Sequence, residues 1–153
     1  EYQNMGTTVV LVFFRDKRVY VAGIGDSRAY RLRESNLERL TKDHSLADAL
    51  GEAGTIRMED VAQHKFKHVL YLYLGSKEAR DGPDPKEIRN LEVRPGDRFL
   101  LASDGLTGVV SDELIADVLK REEDPQRAAN RLIELALEYH SKDNVTCVVI
   151  HVD

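Results

Sequence analysis

The chain has 153 residues, 42% of them apolar and 32% charged, and its 22 lysines and arginines against 27 aspartates and glutamates give a net charge of -5. That length suits one domain burying roughly 70% of the surface its unfolded form exposes, and the composition excludes fibrous and disordered classes. The acidic balance lacks the basic footprint of a nucleic-acid binder, and no apolar run approaches the roughly 20 residues that cross a bilayer, so neither nucleic acid nor membrane is expected as a partner.

Val9 to Phe14 is a β-branched and aromatic run, and after the short turn Asp16-Lys17 the segment Val19 to Ile24 returns as a second strand. Gly25-Asp26-Ser27-Arg28 interrupts it before Ala29 to Arg33 resumes, and Glu34-Ser35-Asn36 turns into Leu37 to Leu40. Such close spacing predicts an antiparallel meander. Ser45 to Leu50 reads as a capped helix stopped by Gly51 or Gly54, and Met58 to His64 as a second short one. Lys65 to Gly75 is apolar and aromatic, and periodicity does not decide its state. Tyr71 and Tyr73 are expected in the core, and Glu78 to Pro85 in a surface loop.

Ile88 to Val93 alternates as a strand up to the turn Arg94-Pro95-Gly96-Asp97, and Phe99 to Ala102 is too short an apolar run for an ordinary helix, so it reads as a buried strand. Ser111 caps a helix running to about Arg121, and Asp124-Pro125 starts another, with Ala128, Leu132, Ile133, Leu135, Ala136 and Tyr139 as its buried stripe. Ser141 to Asn144 turns into the last strand, Val145 to Val152. That strand holds the lone cysteine, Cys147, which excludes an intrachain disulfide and a cysteine-based zinc site. With no signal-like opening segment, it leads us to expect a reducing, cytoplasmic location.

Three aspartates stand at strand ends: Asp26 after the second strand, Asp104 after Phe99 to Ala102, and Asp143 before the last strand. In an antiparallel pair the end of one strand lies beside the start of its partner, so Asp104 and Asp143 are candidates for neighbours. Two carboxylates about 5 Å apart at an effective dielectric near 20 repel by roughly 3 kcal/mol, which a bound cation reverses. Oxygen donors without Cys or paired His favour magnesium or manganese over zinc. The competing reading is plain turn chemistry, common at Gly-Asp, Asp-Gly and Asp-Asn pairs.

The ordered set Gly6-Thr7-Thr8, Gly25-Asp26-Ser27-Arg28, Leu40 to Ser45, Pro95-Gly96-Asp97 to Leu101, Ser103 to Thr107 and Asp143 to Thr146 resembles the metal-dependent (type 2C) protein serine/threonine phosphatases, above all the bacterial ones. The resemblance implies an α+β fold, with two mainly antiparallel β-sheets in a sandwich flanked by helices and a metal centre at one end. It implies that Asp104 and Asp143 bind a catalytic Mn2+ or Mg2+, that Asp26 helps hold a further, weaker ion, and that the reaction is hydrolysis of phosphoserine and phosphothreonine on phosphorylated kinase substrates. Residues 41–75 occupy the position of the family's flap, a segment beside the active site that resembles a substrate-selecting element.

The family's domain begins upstream of Gly-Thr-Thr with an Asp-Gly-x-x-Gly motif whose aspartate bridges both metals, and none precedes Met5. The family's N-terminal phosphate-binding arginine and histidine acid also lack counterparts. We therefore expect residues 1–153 to be a single partial phosphatase domain, the C-terminal part of a longer enzyme, inactive or nearly so alone, with exposed sheet edges through which it self-associates. The alternative is a pseudophosphatase or regulatory binding module of the same fold. His44 is expected to be structural or capping, Arg28 to brace the sheet end, and His64 and His68 to lie at the surface or in packing.

Overall fold

The computed structural model describes residues 5–82 and 84–153. Strands β1 (Val9–Arg15) and β2 (Arg18–Ile24) form a hairpin, and its turn residue Asp16 takes the left-handed conformation that Asp tolerates, with φ of 53°. β2 also pairs with β5 (Arg89–Glu92), giving a three-stranded antiparallel sheet ordered β1-β2-β5. A second antiparallel sheet is ordered β4-β3-β6-β7, from β3 (Arg28–Arg33), β4 (Asn36–Arg39), β6 (Arg98–Ala102) and β7 (Cys147–His151).

Strand alternation divides the interior into two cores. On one face, Ala29 and Phe99 of the four-stranded sheet meet Val19 and Val21 of the other sheet, so this core lies inside the sandwich. On the opposite face, Tyr30, Leu32, Leu100 and Ala102 pack against α3 (Asp112–Arg121) and α4 (Pro125–Glu138) through Ile115, Leu119, Ala128 and Leu132. The strands β3 and β6 are buried on both faces, which explains the continuous apolar reading of Phe99 to Ala102.

Both helices start on the caps expected of them. The Ser111 hydroxyl accepts the Leu114 amide at 3.4 Å, and the Asp124 carboxylate accepts the Arg127 amide at 2.8 Å, with Pro125 in the first turn. The α4 stripe differs at its end: Ala129 is buried and Tyr139 is exposed, because the helix stops at Glu138 and Tyr139 is its cap. Cys147 packs against the helix-side core, and burial pushes its thiol upward, as suits a packing residue.

Helix α1 (Leu46–Glu52) begins at Ser45, whose hydroxyl accepts the Asp48 amide, and it runs through Gly51 to end before Gly54. Met58–Gln63 is a 3₁₀ helix. Residues 65–75 form neither helix nor extended strand. They run beside residues 44–46 on single backbone bonds, Leu46 to Val69 at 2.7 Å and Tyr71 to His44 at 3.0 Å. Tyr71 and Tyr73 are accordingly half-buried and outside both cores. Glu78–Asp81 is a short 3₁₀ turn within the predicted loop Glu78 to Pro85, and a second, Pro85–Glu87, begins at the loop's last residue and runs past it; Pro83 lies outside the described residues.

Candidate metal centre

The strand register carries the candidate residues to one end of the four-stranded sheet. Arg28 pairs with Ala102, and Ala102 pairs with Cys147 on its other side. Asp26 therefore stands two residues before one member of this row, Asp104 two residues after the central member, and Asp143 four residues before the third.

Asp104 opens the short helix α2 (Asp104–Thr107) directly behind β6. The loop holding Asp143 is laced to it: the Ser103 amide donates to the Thr146 carbonyl at 3.0 Å, and the Ser103 hydroxyl donates to the Asn144 carbonyl at 3.2 Å. The Ser141 hydroxyl donates to the Gly105 carbonyl at 2.7 Å. Residue 105 has no room for a side chain, because a Cβ there would lie 2.3 Å from the Asn144 carbonyl oxygen. Gly105 thus permits the close approach of the Asp143 loop to the Asp104 helix.

Asp26 sits in the β2–β3 turn. Gly25 takes φ of 102°, and a Cβ there would collide with Thr8 at 2.4 Å, so both conformation and space require glycine. The Ser27 and Thr8 hydroxyls share a hydrogen bond of 2.8 Å, which ties the turn to the segment leading into β1. At the far end of the turn, Arg28 grips both carboxylate oxygens of Asp43, its Nη2 at 2.6 Å and its Nε at 3.0 Å. Arg28 also donates to the Tyr30 hydroxyl, which donates to Asp112 at the start of α3. Burial pushes the Tyr30 hydroxyl up to about 12, so it stays a donor. Arg28 braces the sheet end, as its sequence context predicts.

Asp26 and Asp104 face one cavity of about 330 Å³. Arg28, Arg39, Asp43 and Asp48 also line it, together with Met58, Val61, Lys67 and His68 from the segment 58–68. Burial holds the Asp26 carboxyl above the usual range, and the charge of Asp104 adds to that shift. A half-buried carboxylate facing a second one is the arrangement that a hard divalent cation relieves, and the oxygen donors suit magnesium or manganese. Asp143 stands at the same sheet end but does not line this cavity, and among the described residues no group of three or more His, Cys, Asp or Glu side chains is disposed to hold a metal. The chain's donors thus fit part of a cation site.

Two contributors escaped the sequence reading. Asp43 was not singled out, although it is buried and takes both prongs of Arg28. Glu87, whose carboxylate meets His44 Nε2 at 2.9 Å, lies 43 residues from its partner, so no local pattern connects them. His44 is buried and structural, as expected, while His68 lies on the cavity wall.

The fold defines a class, two antiparallel sheets in a sandwich flanked by helices, and the comparisons with known proteins identify the family. A family model described as protein phosphatase 2C matches residues 1–146. The chain is 38% identical over 152 residues to the serine/threonine protein phosphatase PstP of Mycobacterium tuberculosis, covering 99% of this chain and 28% of that protein. It is 33% identical over 153 residues to the serine/threonine phosphatase stp of Listeria monocytogenes, covering 59% of it. Among solved structures, the Staphylococcus aureus serine/threonine phosphatase Stp1 superposes with a TM-score of 0.90 at 35% identity, over all of this chain and 59% of that one. The PstP catalytic domain in complex with two manganese ions superposes at 0.82 with 38% identity, over 99% of this chain and 61% of that one.

The chain belongs to the protein phosphatase 2C family. It spans 28% to 60% of the length of the curated relatives it matches.

Proposed function

We propose that this chain carries part of the metal centre of a serine/threonine protein phosphatase, which hydrolyses phosphoserine and phosphothreonine on phosphorylated proteins, with kinase substrates as its targets. Asp26, Asp104 and Asp143 are its metal ligands in this reading. The observation that carries it is the strand register: three aspartates next to three strand ends stand at one end of the four-stranded sheet, two of them on one cavity, in a chain whose relatives are phosphatases. Bound manganese or magnesium supplies an activated water and neutralises charge on the phosphoryl group.

The chain's own side chains prepare that centre. Asp104 is held by the rigid junction of β6 and α2, and Gly105 lets the Asp143 loop close on it. Each guanidinium nitrogen of Arg28 is bonded to Asp43 or Tyr30, so in this reading its work is to fix the turn carrying Asp26 rather than to grip phosphate. Residues 41–75 act as a flap that selects substrate, for Met58, Val61, Lys67 and His68 from this segment line the cavity that holds the two aspartates. Residues 1–153 serve as a single partial phosphatase domain. Copies of it self-associate through the exposed β1 side of the three-stranded sheet.

Manganese-dependent hydrolysis of p-nitrophenyl phosphate tests this reading, measured on the 153-residue chain and on a longer protein carrying a relative's additional N-terminal segment. The expected result is little turnover by the short chain and robust turnover by the longer one, lost by at least about 100-fold on Asp104→Asn. Turnover by the longer protein that survives Asp104→Asn would overturn the assignment. A longer protein that binds manganese and phosphopeptide without turnover would favour the regulatory module instead.

A further inference from the structure

The turn holding Asp26 is gripped from both ends by one dipeptide, Asp43-His44. Asp43 takes the Arg28 guanidinium at the C-terminal end of the turn, with contacts of 2.6 and 3.0 Å. His44 takes Gly25 at the N-terminal end by two bonds at once: its backbone amide donates to the Gly25 carbonyl at 3.0 Å, and its Nδ1 accepts the Gly25 amide at 3.0 Å. A backbone N–H only donates, so Nδ1 is the unprotonated ring nitrogen and the hydrogen sits on Nε2. That nitrogen donates to Glu87 at 2.9 Å. His44 is 1% exposed, and its ring meets the Tyr71 ring edge-on at 5.7 Å, so the imidazole is packed where it makes these bonds.

We propose that His44, oriented by Glu87, is a positioning residue for Asp26, setting where that carboxylate stands by clamping Gly25. The chain of contacts is Glu87 to His44 to Gly25 to Asp26, and it resembles the support that metal ligands receive from groups behind them. It rests on the proposed ligand role of Asp26. The Gly25 side of the clamp stands on its own geometry. Glycine at this position has the freest backbone of any residue, so the turn needs an external hold to keep one conformation.

The test uses four variants of the chain: His44→Leu, His44→Asn, Glu87→Ala and Glu87→Gln. Amide hydrogen exchange is read at Gly25 to Ser27 and, as a reference, at Phe99 to Leu101, and manganese binding is read by calorimetry. His44→Leu is expected to speed exchange at Gly25 while the β6 amides keep their protection, and to weaken manganese binding about tenfold. His44→Asn, which returns an acceptor toward the Gly25 amide, restores part of both. Glu87→Ala gives a smaller loss of the same kind, and Glu87→Gln, which still accepts from Nε2, gives little.

Unchanged Gly25 protection and unchanged manganese affinity in both His44→Leu and Glu87→Ala overturn the proposal. So does a loss of protection spread evenly over Gly25 and β6, since that marks general destabilisation. If the unaltered chain takes up no manganese, binding is read on the same variants of the longer protein that carries a relative's N-terminal segment, where unchanged affinity overturns the proposal, and exchange at Gly25 decides the clamp in either protein.

Discussion

Asp97 shows how a single buried charge supports this fold. It is 1% exposed and lies in the turn before β6, where Arg33 donates to both its oxygens at 2.7 Å and the Arg94 amide donates at 2.9 Å. Burial pushes this carboxyl upward, but the bonds from Arg33 and Arg94 and the Arg33 charge outweigh it and hold the group below its ordinary value. A carboxyl depressed in the folded state contributes stability that is present above the unfolded value, near 4, and is lost as pH falls through the folded value. Urea unfolding at pH 7 is expected to show Asp97→Ala less stable by roughly 1 to 2 kcal/mol, since the Arg33 left behind is partly solvated. The wild type is expected to lose stability steeply below pH 4, and Asp97→Ala to show less of that acid sensitivity. An equal pH slope in the two proteins would count against this account.

At the scale of elements, the junction of β6, α2 and the 141–144 loop depends on one missing side chain. Gly105→Ala places a Cβ against the Asn144 carbonyl, a backbone atom that cannot swing aside. Thermal unfolding is expected to register a loss of about 2 kcal/mol, the usual cost of forcing atoms into a filled space. Gly54→Ala is the control, because its Cβ would meet nothing within 4 Å and only its left-handed φ of 69° opposes it. If Gly105→Ala is the milder of the two, steric approach is not what holds the loop.

The same scale separates what was legible from what was not. The strands from Val9 to Arg39, the caps Ser45, Ser111 and Asp124, and the turn before β6 all lie where local pattern puts them, because each depends on neighbours within a few residues. The segment 65–75 does not, because its backbone bonds go to residues 44–46 and Thr7, which no local period records. That Asp26, Asp104 and Asp143 stand at one sheet end was legible only in outline, since it requires the register of three strands far apart in the chain.

For the whole molecule, the two sheets are unequally covered. The four-stranded sheet has the other sheet on one face and α3 and α4 on the other. On β1, alternate residues Val9, Leu11 and Phe13 are exposed, the last two by 56% and 54%, while Val10 and Val12 point into the sandwich core. An apolar face on an edge strand is a site for pairing. Sedimentation velocity is expected to show the chain self-associating as concentration rises, and the double variant Leu11→Glu with Phe13→Glu to remain monomeric with its far-ultraviolet dichroism unchanged. Identical sedimentation of the two proteins would rule out this face.

By itself, the sequence determined the strands, the caps and the three aspartates at strand ends, since alternation, capping and turn chemistry act over a few residues. Only the tertiary structure decided that Asp26 and Asp104 face one cavity while Asp143 stands apart from its wall, and that Glu87 reaches His44 behind the turn. The physical reason is that strand pairing and burial bring together groups whose separation along the chain carries no local signal.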